Sequence, residues 1–348
     1  MKHLHGGNIY RNPGCIDFSA SVNPLGTPEG VKQAVIRAAE HLAEYPDPEQ
    51  EALRAAIARV EGVSDKERIV CGNGAAELIW LICAALNPRT AVLPAPTFAE
   101  YEAALEEQGC LIVRVPAEEK NGFRHDERLI MKIEEVRPDI VFFCNPDNPT
   151  GVLSSGEYML RLAETCKKAG SFLIIDECFI DFTDNPENAS FGQYLNRFPH
   201  VIMIKAFTKT YGMAGVRLGY VITADADIAA RIRNKAQPWN VSVIAAEAGL
   251  AALDEQDFVR RGRKVVAEER AFLSGELGTL GYKVYPAAAN YILFRGKHGL
   301  AEKCRDRGIL IRDCSNFEGL CEGYYRIAVK KHEDNQKLIS VLREIDAR

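Results

Sequence analysis

From about residue 46 to residue 245, short apolar runs alternate with amphipathic helical stretches. No other feature constrains the fold of this chain so tightly. Strands are expected at 68–71, 91–94, 110–114, 139–143, 171–175, 201–204 and 217–222, with helices between most of them. Runs such as Ile140-Val141-Phe142-Phe143 are apolar throughout, as strands of a sheet covered on both faces are. The reading is an α/β fold with a mainly parallel sheet. A long helical stretch with few Gly or Pro breakers is expected over 243–279. Strands near 282–285, 290–295, 309–311 and 324–329 and a terminal helix near 331–346 then describe a smaller α+β unit. The 348 residues, 47% of them apolar, suffice for one large and one small domain.

Composition excludes several classes of function. A net charge of −5 offers no basic patch for nucleic acid. The stretch Arg260-Arg261-Gly262-Arg263-Lys264 has acids close by and is read as a solvated helix face. No apolar run approaches transmembrane length, and Met1-Lys2-His3-Leu4-His5 has no signal-peptide core, so a cytoplasmic location is expected. The ten cysteines fall singly, at 15, 71, 83, 110, 144, 166, 178, 304, 314 and 321, with no Cys-x-x-Cys pair. Neither a metal site nor a disulfide framework is implied.

Four segments carry chemistry. Phe207-Thr208-Lys209-Thr210-Tyr211-Gly212-Met213-Ala214-Gly215-Val216-Arg217 follows the apolar run Val201-Ile202-Met203-Ile204. A hydroxyl residue, a lysine, glycines and an arginine after a strand pack poorly. They suit an amine that forms a Schiff base with a carbonyl, beside an arginine that holds a phosphate. Gly72-Asn73-Gly74-Ala75-Ala76-Glu77 lies between a strand and a helix, where small residues let backbone N–H groups approach an anion. Asn145-Pro146-Asp147-Asn148-Pro149-Thr150-Gly151 carries more special residues than a turn needs, and Asn148 can donate to a phenolate oxygen. Asp176 and Glu177 end the apolar strand Phe172-Leu173-Ile174-Ile175, where a carboxylate faces the crevice of an α/β sheet. There Asp176 can keep a pyridine nitrogen protonated, which makes the ring an electron sink.

In this order and at domain-scale spacing, these motifs resemble fold-type I pyridoxal-phosphate enzymes of the aminotransferase I/II superfamily, over essentially the whole chain. The resemblance implies an aspartate-aminotransferase-like fold, with a large cofactor domain over 46–245 and a small domain from 1–45 and 246–348. It also implies pyridoxal 5'-phosphate as cofactor. Lys209 and Asp176 become the catalytic pair. Gly74, Ala75, Phe98, Asn148, Thr208 and Arg217 become cofactor ligands, with Phe98 stacked on the ring. Tyr45 corresponds to a tyrosine that reaches the phosphate of a neighbouring subunit, which implies a homodimer with shared active sites.

Within the superfamily, Asp176-Glu177-Cys178-Phe179-Ile180-Asp181-Phe182 carries phenylalanine where histidinol-phosphate aminotransferases usually carry a tyrosine that bonds the cofactor phenolate. This form, and His5-Gly6-Gly7-Asn8 followed by Asp17-Phe18-Ser19-Ala20-Ser21-Val22-Asn23-Pro24-Leu25-Gly26, resemble the threonine-phosphate decarboxylases of cobalamin biosynthesis. The resemblance implies a phosphate nest at His5, Gly6 and Asn8, with Asn23 beside it. Arg326 would then hold the substrate α-carboxylate and Arg312 its phosphate, with Asn148 also bordering the substrate. The expected reaction is decarboxylation of O-phospho-L-threonine, with O-phosphoserine as a relative. An aminotransferase acting on histidinol phosphate and 2-oxoglutarate is the alternative. A carboxylate held perpendicular to the cofactor ring leaves as CO₂. One held in plane leaves Lys209 to take the Cα proton, and transamination follows. Both outcomes stand at this point.

Overall fold

The computed structural model of this protein describes residues 5–347. Expectations that touch residues 1–4, at the start of the N-terminal segment, and residue 348 lie outside the described residues. In chain order the strands are β1 (Ile16–Asp17), β2 (Ile69–Gly72), β3 (Thr90–Ala95), β4 (Leu111–Pro116), β5 (Ile140–Cys144), β6 (Phe172–Asp176), β7 (Val201–Ala206) and β8 (Gly219–Thr223). They continue with β9 (Lys283–Val284), β10 (Tyr291–Arg295), β11 (Ile309–Leu310), β12 (Arg312–Asp313) and β13 (Tyr324–Ala328).

The central sheet has the order β2-β8-β7-β6-β5-β3-β4. Its pairings are parallel except those of β8, which runs against both β2 and β7. β5 and β8 are buried along their whole length, as strands covered on both faces must be. The helices on the two faces follow ordinary rules. Gly156–Ala169 begins at Ser155, whose hydroxyl accepts from the Tyr158 N–H at 3.2 Å, and ends at Gly170 with φ of 77°.

The helical stretch expected over 243–279 is two helices, Val243–Leu253 and Gln256–Thr279, broken at Asp254 and Glu255. The two parts serve different cores. The first buries Ala245, Ala248, Gly249 and Ala252 in the core that covers the sheet. A methyl group on Gly249 would come within 2.5 Å of Leu218 Cδ2, so only glycine permits that approach. The second sends Leu273 and Leu277 into a separate core with Phe18, Phe294, Ile327 and Leu342. That core belongs to the antiparallel sheet β12-β13-β10-β9 and to the small parallel pair of β1 with β11.

Strand direction assembles the site. β2, β5, β6 and β7 all point their carboxyl ends to one edge of the sheet, and antiparallel β8 starts at that edge, with Gly219 opposite both Gly72 and Ala206. Each chemically active segment follows one of these ends or, for Arg217, precedes β8. Residues far apart in the chain therefore share one crevice, on the side where open α/β sheets bind ligands.

Candidate active site

At that edge lies a cavity of about 320 Å³, lined by Lys209, Asp176, Asn148, Thr208, Arg217 and Ala75 among others. Phe98, Phe179 and Cys178 form apolar parts of its wall, and His5, Gly6, Arg312 and Arg326 come to it from outside the central sheet.

Lys209 sits in the one-turn helix Phe207–Thr210 that follows β7. Its amine lies 5.7 Å from the centre of the Phe179 ring. Desolvation, then the Arg326 charge and that of Arg217, lower its pKa from 10.5 to about 8 against the opposing pull of Cys178 and Asp176. At pH 7 about one such amine in ten is neutral, against roughly one in three thousand for an ordinary lysine. The site therefore keeps a usable fraction of nucleophile near neutrality.

Asp176, at the end of β6, is buried with both oxygens engaged. The Tyr101 hydroxyl donates to Oδ2 at 2.6 Å, and the Cys178 N–H donates to Oδ1 at 2.9 Å. Tyr101 is itself fully buried and stacks on Phe142 at 4.8 Å. Tyr101 was not singled out from the sequence. An aromatic at the start of a helix reads as core, and nothing local marks its hydroxyl as a partner of a residue 75 positions away.

Arg217 lies before β8 rather than within it, with φ of 61°. The strand expected from 217 therefore begins at Gly219. That turn sends the guanidinium back to the start of helix Gly74–Leu86, where it donates to the Asn73 carbonyl at 3.3 Å. Gly74 has φ of 79°, and a methyl group there would meet Arg217 Nη2 at 2.7 Å. Gly74 thus makes room for the guanidinium, while Ala75 and Thr208 line the cavity beside it. A helix N-terminus, an arginine fork and a hydroxyl at one end of a cavity make an anion site.

Arg326 on β13 and Arg312 on β12 stand directly opposite each other across an antiparallel pair. Both are at least nine-tenths buried. Arg326 donates to Asn148 Oδ1 and, at 3.1 Å, to the Ser19 carbonyl. Asn148 keeps its amide hydrogens for another acceptor. Arg312 donates to Asn316 Oδ1 at 2.8 Å and lies 5.1 Å from the Phe317 ring centre. Phe179, 6% exposed and edge-on to Tyr291 at 4.9 Å, brings no hydroxyl to its part of the wall.

The remaining expected residues fall in different places. Asn8 is exposed, and its carbonyl serves Asn12 in a local turn away from the cavity. The Gly7 N–H donates to Ser19 Oγ at 2.8 Å, so it is engaged within the chain. His5 does line the cavity, with Nε2 2.7 Å from Glu100 Oε1. Asn23 lies outside the cavity wall with its side chain committed to backbone groups, described below. Tyr45 is 79% exposed, packs against Trp239 with ring centres 4.6 Å apart and tilted by 32°, and does not line its own chain's cavity. The basic stretch 260–264 is not wholly a solvated face, because Gly262 is buried and Arg263 donates to the Asp181 carbonyl at 3.0 Å. Ser19, Ala20 and Ser21 line the cavity and were missed, being small residues in a stretch read for its glycines and asparagines.

The family model described as aminotransferase class I and II matches residues 13–342. The threonine-phosphate decarboxylase of Salmonella typhimurium is 36% identical over 99% of this chain and 97% of its own. Histidinol-phosphate aminotransferase 2 of Archaeoglobus fulgidus is 34% identical over 95% of this chain and 93% of its own. Among solved structures, histidinol-phosphate aminotransferase from Sinorhizobium meliloti in complex with pyridoxal-5'-phosphate superposes with a TM-score of 0.85 at 25% identity. It covers 94% of this chain and 90% of its own.

Proposed function

Since this chain belongs to the aminotransferase class I and II family and takes pyridoxal phosphate as cofactor, we propose that it decarboxylates O-phospho-L-threonine, with O-phosphoserine as a related substrate. The residues of the cavity fit the cofactor. The cleft around Gly74 that any side chain would close against Arg217, with Ala75 and Thr208, suits its phosphate. Asp176, oriented by Tyr101, suits its ring nitrogen, and Phe98 its ring face. Asn148 Nδ2 suits its phenolate oxygen, and Lys209 Nζ would hold its carbonyl carbon covalently. When bound, pyridoxal phosphate supplies the electron sink for the pair left by a bond breaking at Cα.

The observation that carries the reading is the arginine pair facing across β12 and β13. Phosphothreonine has two anionic groups close together, a carboxylate on Cα and a phosphate ester on Cβ. Arg326, braced by Asn148, takes the carboxylate and Arg312 the phosphate. Histidinol phosphate carries a phosphate but no carboxylate, so it draws on one arginine of the pair where phosphothreonine draws on both. The chain residues then have defined tasks. Arg326 fixes the carboxylate, Arg312 holds the phosphate end that His5 and Gly6 border, and Lys209 Nζ holds the proton that Cα receives as CO₂ departs. Tyr45, exposed and outside its own cavity, is assigned to the neighbouring copy of a homodimer.

Incubation with phosphothreonine and no keto acid should release CO₂ and the phosphorylated amino alcohol in equal amounts over many turnovers. Decarboxylation needs no amino acceptor. An enzyme that turns over histidinol phosphate with 2-oxoglutarate, and stops after one turnover on phosphothreonine, is an aminotransferase and overturns the reading.

The lowered pKa of Lys209 gives a second expectation. Its deprotonated amine is the form that attacks a carbonyl, so reloading of cofactor-free enzyme should accelerate with pH and level off above about pH 8. A rate that keeps climbing toward pH 10 would mean that the amine is not desolvated in this way.

A further inference from the structure

We infer that Asn23 is a positioning residue that sets where the Lys209 amine lies, by clasping the main chain of the lysine turn from the N-terminal segment. This rests on the reading of Lys209 as the residue that links the cofactor.

The turn needs an outside clasp. Phe207–Thr210 is a single helical turn, so the carbonyls at its C-terminal end have few partners within it. Asn23 supplies them. Its N–H donates to the Lys209 carbonyl at 2.9 Å, and its Nδ2 donates to the Thr210 carbonyl at 2.8 Å. Its Oδ1 accepts the Leu25 N–H at 3.0 Å, which closes a tight turn and locks the side-chain amide in one orientation. Thr27 continues the clasp, donating from Oγ1 to the Gly212 carbonyl at 2.7 Å. Asn23 is 2% exposed, and Gly262 lies so close that a methyl group there would collide with the Asn23 amide.

The same segment holds the opposite wall of the cavity. The Ser19 carbonyl accepts from Arg326 at 3.1 Å, and Ala328 N–H donates to the Phe18 carbonyl at 2.8 Å. Residues 18–23 therefore connect the arginine assigned to the substrate carboxylate with the turn that carries the amine. No other contact of Asn23 serves a ligand. Proton delivery to Cα depends on the separation of those two groups, and displacement by about 1 Å costs on the order of a hundredfold in rate.

The test uses the cofactor-loaded enzyme and its cofactor-free form. Asn23→Ala should lower kcat by about ten- to a hundredfold with KM for phosphothreonine changed by less than about threefold. In the cofactor-free protein, the pH midpoint for reductive methylation of Lys209 should move upward as the amine shifts toward solvent. Asn23→Asp keeps the volume and the acceptor for Leu25 but loses the donor to Thr210, and should behave like the alanine variant. Ile339→Val, in the remote terminal helix, should lower Tm without changing either readout.

A tenfold rise in KM with unchanged kcat would make Asn23 a substrate ligand and overturn the inference. So would wild-type kinetics in Asn23→Asp, or failure of both Asn23 variants to fold. Should wild-type enzyme yield no borohydride-trapped cofactor on Lys209, the underlying reading of Lys209 fails instead. Trapping in wild type with unaltered Asn23 variants rejects the clasp alone.

Discussion

Lys209→Ala is expected to abolish turnover, with a loss beyond about a thousandfold, because in the proposed function one amine serves both as the covalent tether and as the proton carrier at Cα. Borohydride reduction should then fix no cofactor to the protein, whereas wild type should yield one pyridoxyl group on a peptide containing Lys209. The variant should still take up cofactor without a covalent bond. The anion site at Gly74, Ala75, Thr208 and Arg217 does not involve the lysine side chain, and the main chain at 209 is held by Asn23. A borohydride-stable adduct in Lys209→Ala, found by mass spectrometry, would move the assignment to another amine. Lys205 is the nearest such group in sequence. It is bound to Glu61 at 2.8 Å in an ion pair that raises its pKa, so it is a poor nucleophile.

The second large effect belongs to Asp176. Asp176→Ala should cost at least about a hundredfold in kcat, some 2.7 kcal/mol of transition-state stabilisation. In the proposed function this carboxylate holds the ring nitrogen in its charged form. The substitution also leaves the Tyr101 hydroxyl buried without its acceptor, so some loss of stability should accompany the loss of rate. Asp176→Asn reduces the overlap, because its one amide oxygen can still accept from Tyr101, at the expense of the Cys178 N–H, but carries no charge. If Asp176→Asn keeps wild-type kcat, the nitrogen has another partner. Steady-state kinetics and a melting curve on each variant decide the matter.

The parts of the site that were legible in the sequence are those where a strand ends and the chemistry begins. Lys209, Asp176 and Asn148 each follow an unbroken apolar run, and a parallel sheet brings all such ends to one edge. Arg217 joined them because antiparallel β8 starts where its neighbours finish. Residues whose task depends on a distant partner were harder to read. Tyr101 looks like core, since only the fold brings Asp176 to it. Asn23 looks like a ligand because an asparagine beside Pro24 and Gly26 in an irregular stretch invites that reading. Its actual partners are carbonyls nearly two hundred residues away. Asn8 misled for a related reason. Glycines permit a nest, but the Ser19 hydroxyl had already taken the Gly7 N–H. The break at Asp254 and Glu255 is silent in the sequence because neither residue stops a helix. The chain turns there to enter a second core.

The pairing of β1 with β11 has a consequence for how the molecule comes into being. Among the described residues, Ile16 and Asp17 find their only strand partners in Ile309 and Leu310, and Phe18 accepts from Ala328. At common translation rates of about 5–20 residues per second, roughly 15–60 s separate the synthesis of these two ends. Throughout that interval the central sheet can form, while the leading segment waits on the ribosome with its apolar side chains, Ile16 and Phe18 among them, uncovered. Closure of so long a loop is slow by nature. The nascent chain is therefore open to chaperones and proteases at residues 16–18 until residues 309–328 are made, and the crevice is completed only then.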